Sequence, residues 1–214
     1  MRFLIMTNGE YGDLNWYRGR AGRFDRIYCV DGGSRRAKQL GVVPDRVVGD
    51  MDSITGADRH DMENNGVRFS VFPPEKDYTD TQLALDLAVR EGAREIVVWG
   101  GTGSRLDHTL SNLCSSLALV RRGVSVFFEA PDVDVYLVRD RLLLPGKPGD
   151  TVSLIVLGDR ATGVTLHDFR YPLEGVVLEG SWQWAVSNVV TGTAPAVRVA
   201  TGVLAVFHYK RLSP

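Results

Sequence analysis

The sequence predicts an α/β domain with a mostly parallel sheet, followed by an all-β sandwich domain. Three observations predict it. Residues 1–130 alternate short apolar runs with longer stretches of helical period. Residues 131–214 hold only short, Val-rich runs punctuated by Gly, Pro and Asp. No internal repeat or low-complexity tract suggests a solenoid or a disordered tail. With 214 residues, 44% hydrophobic and 24% charged, the chain can bury one generous core or two compact ones.

In the first half, Phe3–Thr7, Arg26–Val30, Arg46–Val48, Val67–Phe72, Glu95–Trp99 and Val124–Phe128 have strand length and composition. Between them Ser34–Leu40, Ala57–Asn64, Thr79–Glu91 and Leu106–Arg121 read as helices. Leu83 and Leu87 lie one turn apart, and Leu106, Leu110, Leu113, Leu117 and Val120 share one face. Such alternation builds a Rossmann-like sheet wrapped on both sides. In the second half, Asp132–Val138, Arg141–Leu144, Thr151–Val156, Ala161–Leu166, Val176–Leu178, Ala185–Val190, Ala196–Thr201 and Val203–Tyr209 read as antiparallel strands. The expected domains are 1–130 and 131–214.

Bulk properties narrow the function classes. A net charge of −1 gives no global attraction for nucleic acid or an anionic membrane. The apolar start of the chain is too short for a signal peptide and no stretch reaches membrane-spanning length, so a soluble, cytoplasmic protein is expected. Cys29 and Cys114 make neither a disulfide framework nor a metal cluster.

Ligands of open α/β sheets collect beyond the carboxyl ends of the strands, and there the chain places its polar residues. Asp31-Gly32-Gly33-Ser34 follows the second strand, and two glycines before a helix let backbone N–H groups approach a phosphate or ribose, or make an ordinary tight turn. Asp50 and Asp52 follow the third strand at a spacing of two, which projects them to one side if the strand continues through them. Like charges that close favour a divalent cation between them, and Mg²⁺ suits carboxylate and phosphate oxygens; the bland alternative is a solvated turn with Ser53 capping a helix. Lys76, Asp77 and Asp80 cluster after the fourth strand, where Thr79 or Asp77 can cap the helix. Gly100-Gly101-Thr102-Gly103 leads to Arg105, Asp107 and His108 at a helix start, without Walker spacing. Arg105 offers a fork for phosphate oxygens, and His108 has a structural reading beside a catalytic one. Trp182 and Trp184, two apart, read as core or interface residues of one strand face.

Taken together, these segments resemble the thiamine pyrophosphokinase family. The resemblance rests on Asp31-Gly32-Gly33, on Pro44-Asp45 with Gly49-Asp50-Met51-Asp52-Ser53-Ile54, on Lys76-Asp77-Tyr78-Thr79-Asp80, and on Arg105-Leu106-Asp107-His108 with Asn112. Phe169-Arg170-Tyr171-Pro172-Leu173 and Ser187-Asn188 continue it in the second half. Departures are Ser104 where a glycine is common, and Val189-Val190 where an acidic–aromatic pair is usual. The resemblance implies an α/β domain followed by a β-sandwich, a homodimer with shared active sites, and transfer of a pyrophosphoryl group from ATP to thiamine. It implies Asp50, Asp52 and Asp80 around Mg²⁺, with Asp77, Arg105 and Asp107 as further catalytic positions. Asp31, Gly32, Gly33, Lys76, Gly103, Arg105 and His108 would bind the nucleotide, and Asp80, Tyr171, Ser187 and Asn188 the acceptor. A related diphosphokinase acting on a pterin, a phosphohydrolase and a non-catalytic nucleotide-binding module are the competing readings.

Overall fold

A computed structural model of the chain describes residues 1–103 and 105–210; Ser104, one of the departures above, lies outside them. The chain divides into two compact units, the first comprising Met1–Ser116 with Phe128–Ala130, the second Leu117–Phe127 and the chain from Pro131 onward. The division passes through a helix and the strand after it, not through a single point.

The elements of the first part are β1 (Arg2–Met6), α1 (Leu14–Tyr17), a 3₁₀ turn (Arg20–Arg23), β2 (Arg26–Val30), α2 (Gly33–Leu40), β3 (Arg46–Gly49), α3 (Gly56–Asn64), β4 (Arg68–Val71), α4 (Asp80–Arg90), β5 (Glu95–Trp99), α5 (Leu106–Arg121) and β6 (Ser125–Glu129). The sequence gives no sign of α1 or the 3₁₀ turn, because four residues are too few to show a period. In space the strands run β6-β5-β1-β2-β3-β4, and those from β5 to β4 are parallel. β1 is central, and its run Phe3-Leu4-Ile5-Met6 is wholly buried, as a strand covered on both faces requires. The chain leaves β1 towards β4 on one side and returns as β5 on the other. The crevice between β1 and β5 is therefore the topological switch point, open at the carboxyl ends.

Local chemistry sets the helix starts. Thr79 caps α4, and Gln82 reaches back to close a capping box. Thr55, not Ser53, caps α3 by accepting from the Asp58 amide. α4 buries Ala84, Leu85 and Ala88, while Leu83 and Leu87 are half-buried. The inward face thus carries small residues, which bring the helix axis close to the sheet. In α5, Leu113 and Val120 are buried as expected, but Leu106 and Leu110 are 71% and 61% exposed. The first turns of that helix stand at the rim of the crevice, beyond the layer that covers Leu113.

Tyr28, at the centre of β2, gives the sheet a titratable anchor. Its hydroxyl donates to Glu91 Oε2 at 2.5 Å, and Arg46 pairs with Glu91 Oε1 at 2.7 Å. Burial first, and then the Glu91 bond, push the phenol up to about 12. Because the folded value lies above the ordinary one, this contribution is complete below about pH 10 and is lost as the pH rises through about 12. Melting temperatures measured across that window should fall more steeply for the native chain than for Tyr28→Phe.

The second part carries β7 (Val133–Val138), β8 (Arg141–Leu143), β9 (Thr151–Val156), β10 (Arg160–His167), β11 (Leu173–Glu179), β12 (Asn188–Val189), β13 (Ala196–Arg198) and β14 (Leu204–Tyr209). One antiparallel layer runs β12-β9-β14-β7, the other β11-β10-β13-β8. Alternation along β9 turns Val152, Leu154 and Val156 inward, where they share a core with Ala161, Val164, Leu166, Leu178 and Val197 of the facing layer. Each larger side chain buried there contributes about 1.5–3 kcal/mol. The expected strand Ala185–Val190 shrinks to β12. Ser187 interrupts it, left-handed at φ +58 with its amide turned to the Ser153 hydroxyl; just upstream, the Gln183 side chain accepts from Val156 N at 3.1 Å and donates to Val156 O at 3.3 Å in the place of a strand partner. Trp182 and Trp184 are accordingly outside any core, 73% and 46% exposed.

Candidate active site

The crevice at the switch point is a polar cleft of about 500 Å³ in the first unit. Thr7–Glu10 after β1, Asp31 after β2 and Gly100–Gly103 after β5 form its floor and walls. Thr79–Thr81 at the start of α4, with Arg105, His108, Thr109 and Asn112 near the start of α5, complete it. Arg36 of α2 also lines the cleft, with its guanidinium 5.7 Å from the Tyr11 ring.

Close approach between loops builds this floor. A Cβ on Gly9 would lie 2.0 Å from the Gly100 carbonyl oxygen. Asn112 Nδ2 donates to Gly101 O at 2.8 Å, and Gly103 N donates to Thr109 Oγ1 at 3.2 Å, so α5 and the Gly-rich loop hold each other. Gly32 and Gly33 are buried and lie outside the lining of the cleft. A Cβ on Gly32 would meet the Asn8 amide at 2.6 Å, and one on Gly33 would meet Met6 O at 2.1 Å. These glycines let α2 pack closely onto β1 and its exit loop.

Acidic groups converge at the edge of the cleft. Asp31, Asp50 and Asp52 each offer a carboxylate oxygen, and these atoms lie within 4.8 Å of one another. β2 and β3 are neighbours, so their exits bring the three together. Both exits are strained: Asp31 has φ +45 and Met51 φ +67, left-handed backbone that a non-glycine residue adopts at some cost. A side chain on Gly49 would place its Cβ 3.1 Å from Asp31 Cβ. Asp50 and then Asp31 push the Asp52 carboxyl above the ordinary carboxylate range. Asp31 Oδ1 is buried with no hydrogen-bond partner. Mutual repulsion and an orphaned carboxylate oxygen are what a hard cation relieves, so the cluster can hold a metal ion.

The structure distributes the other expected residues differently. Asp80 lies outside the converging triple but acts on Asp52 electrostatically; Lys76, which also donates to Pro73 O, pairs with it at 2.9 Å. Arg105 grips Asp107 with two bonds of 2.9 and 2.6 Å, and this holds Asp107 well below the usual carboxylate range. Asp77 and His108 are exposed, His108 in the cleft wall. In the second unit, buried Asn188 accepts from Tyr171 N at 3.1 Å and donates to Tyr171 O at 2.7 Å, as a strand would. The Tyr171 ring is left 62% exposed. Ser187, at φ +58, donates its amide to Ser153 Oγ. Sequence reasoning missed Asn8, Glu10, Arg36 and Thr81; the exit of β1 and the inner face of α2 were the signals that could have found them. Among the described residues no helix is long and apolar enough to cross a membrane.

Comparison with known proteins bears on what this arrangement does. Residues 20–128 match the family model of the thiamin pyrophosphokinase catalytic domain, and residues 141–204 match that of the thiamin pyrophosphokinase vitamin B1 binding domain. The thiamine pyrophosphokinase of Bacillus subtilis is 28% identical over 185 residues, which are 82% of this chain and 83% of the relative. Its crystal structure superposes with a TM-score of 0.82 at 23% identity, covering 99% of this chain and all of the other. That of the Geobacillus thermodenitrificans thiamin pyrophosphokinase gives a TM-score of 0.79 at 26% identity, covering 100% of this chain and 99% of the other. One family's catalytic and vitamin-binding models thus fall, in order, on the α/β part with its acidic cleft and on the sandwich, and the chain belongs to the thiamin pyrophosphokinase family.

Proposed function

We propose that this chain is a thiamine pyrophosphokinase, which transfers a pyrophosphoryl group from Mg-ATP to the hydroxyl of thiamine and yields thiamine diphosphate and AMP. The observation that carries the reading is that Asp31 belongs both to the converging acidic triple and to the wall of a cleft of nucleotide size. In this reaction the alcohol attacks the β-phosphorus, the bond from that phosphorus to the α-phosphate oxygen breaks, and AMP leaves. Most of the catalysis is therefore positioning and charge neutralisation. Asp50 and Asp52 would hold Mg²⁺ together with Asp31, and Asp80 would add its charge nearby. When bound there, the ion would supply charge neutralisation for the phosphate oxygens.

The remaining roles fall to this chain's own groups. Arg36 and Arg105 face the cleft as cations for phosphate oxygens. Arg105 keeps Asp107 ionised by gripping it with two bonds, and Asp77 or Asp107 would orient the attacking hydroxyl. Tyr171 presents an aromatic face to the cationic thiazolium, and Asn188 fixes that face by clamping the Tyr171 backbone. Exposure of Tyr171, Trp182 and Trp184 supports a homodimer in which a second copy completes the acceptor site. Tyr171→Ala should raise KM for thiamine roughly tenfold, the loss of one desolvated cation–π contact of about 1–2 kcal/mol, with KM for ATP unchanged.

The decisive experiment incubates the purified chain with Mg-ATP and thiamine and separates the products. Equal amounts of AMP and thiamine diphosphate are expected. ADP or free phosphate in place of AMP would overturn the reading, and AMP formed only with a pterin alcohol would change the acceptor.

A further inference from the structure

The loop that carries Asp50 and Asp52 has little to hold it in place. None of the residues from Asp50 to Asn64 is buried, so neither the loop nor α3 has an anchor in the core. Two cavities of about 340 and 330 Å³ lie along α2 and α3, one on each side of the Lys38–Asp58 ion pair. Side chains do not fill the space between these helices. α2, by contrast, is fixed: Gly33, Ser34, Ala37 and Leu40 are buried, and the turn before it carries Asp31.

One side chain of α2 reaches the loop itself. The Arg35 guanidinium donates from Nε at 3.1 Å and from Nη2 at 2.5 Å to a single acceptor, the Ser53 carbonyl oxygen. Ser53 is the residue after Asp52, and Met51 between the two aspartates is held in left-handed backbone. This forked, charge-assisted bond ties the residue next to Asp52 to the helix that begins just after Asp31. Lys38 and Asp58 make a second tether one turn further along α2, to the third residue of α3 and not to the loop that carries the carboxylates.

We propose that Arg35 is a positioning residue for the metal site: by gripping the Ser53 carbonyl from α2, it holds Asp50 and Asp52 against Asp31 before any nucleotide binds. This rests on the metal-centre reading above, and Arg35 itself touches neither metal nor substrate. A residue that only bound phosphate would matter when ATP is present. Arg35 matters earlier, for the affinity of the bare cation.

The test uses Mn²⁺ alone as the probe, titrated into the nucleotide-free full-length chain and followed by electron paramagnetic resonance. In Arg35→Met the Mn²⁺ dissociation constant should rise roughly tenfold or more, the scale of lost outer contacts around metal ligands. The melting temperature without metal should stay within a few degrees of the native chain, since no core contact is lost. Arg35→Lys, which can still donate to the carbonyl, should recover part of the affinity. Should Arg35→Met fail to fold, Arg35→Gln is read on the same scale. Unchanged Mn²⁺ affinity in the neutral variants, or no Mn²⁺ binding by the native chain, overturns the proposal. Failure of the chain to make AMP from thiamine and ATP would defeat the functional reading and leave this result standing, so the two failures are separable.

Discussion

Asp52→Asn should lower turnover by at least two to three orders of magnitude, the scale seen when one preorganised electrostatic contact to a reacting group is removed. The same substitution should leave the fold intact and raise the melting temperature of the metal-free protein. The two effects have one cause. Asp50 and Asp31 push the Asp52 carboxyl above its ordinary range, so in the absence of a cation the folded state concentrates negative charge that the unfolded chain spreads out. An amide of the same shape removes that repulsion together with the capacity to hold Mg²⁺. Adding Mg²⁺ should therefore stabilise the native chain and have little effect on the variant. Two measurements decide it, turnover at saturating Mg-ATP and thiamine, and thermal melting with and without Mg²⁺. Native-like turnover in Asp52→Asn would remove the metal role from this aspartate.

The sign of the pH effect at this residue follows from the same repulsion. With a folded value above the unfolded one, the folded state takes up a proton more readily, and metal-free stability declines as the pH rises through the raised value. Asp107 behaves oppositely, because Arg105 holds it below the ordinary range and its contribution is lost only in strong acid. Carboxylates that neighbour one another in the sequence of motifs thus have opposite electrostatic fates, decided by whether the nearest partner is an acid or a guanidinium.

Which parts of this were readable in the sequence has a physical explanation. Spacing of two groups Asp50 and Asp52 only if the strand runs on through them; β3 instead ends at Gly49, and the left-handed Met51 between the two aspartates belongs to the turn that gathers them. Asp31 was readable as a ligand-side residue but not as their third partner, since that depends on β2 lying next to β3. Strand order is a tertiary fact. Lys76 and Arg105 stand out in the sequence as cations among the acidic motifs, whereas their pairing with Asp80 and Asp107 depends on rotamers that only packing fixes. Of the core and interface readings of Trp182 and Trp184 the core one fails, because period two buries a face only where a facing layer covers it. Here the Gln183 amide satisfies Val156, and the tryptophans turn outward. Leu106 and Leu110 misled in the same manner: helical period locates a face but not how far along it the covering layer extends.

Gly33→Ala should be among the most damaging single-methyl changes in the first unit. Propensity alone favours alanine inside a helix by about 1 kcal/mol, so a stabilising result would follow if nothing lay nearby. The added Cβ would instead sit 2.1 Å from Met6 O and 2.8 Å from Met6 C, backbone atoms of the central strand that cannot swing aside. Either α2 lifts from β1 or β1 bends, and a destabilisation of about 1–3 kcal/mol is expected, the usual cost of overpacking. Lifting α2 also moves Asp31, two residues before Gly33, away from Asp50 and Asp52. A displacement near 1 Å at a reacting centre costs roughly a hundredfold in rate, so turnover should fall by about that factor even where the variant remains folded. Gly22→Ala is the control: nothing lies within 4 Å of its Cβ position, and stability and turnover should both stay near native. The alternative role, a glycine that admits phosphate, predicts unchanged melting and a raised KM for ATP alone. Thermal melting joined to separate KM and kcat values tells these apart, because only a glycine that seats a helix on a strand loses stability and rate together.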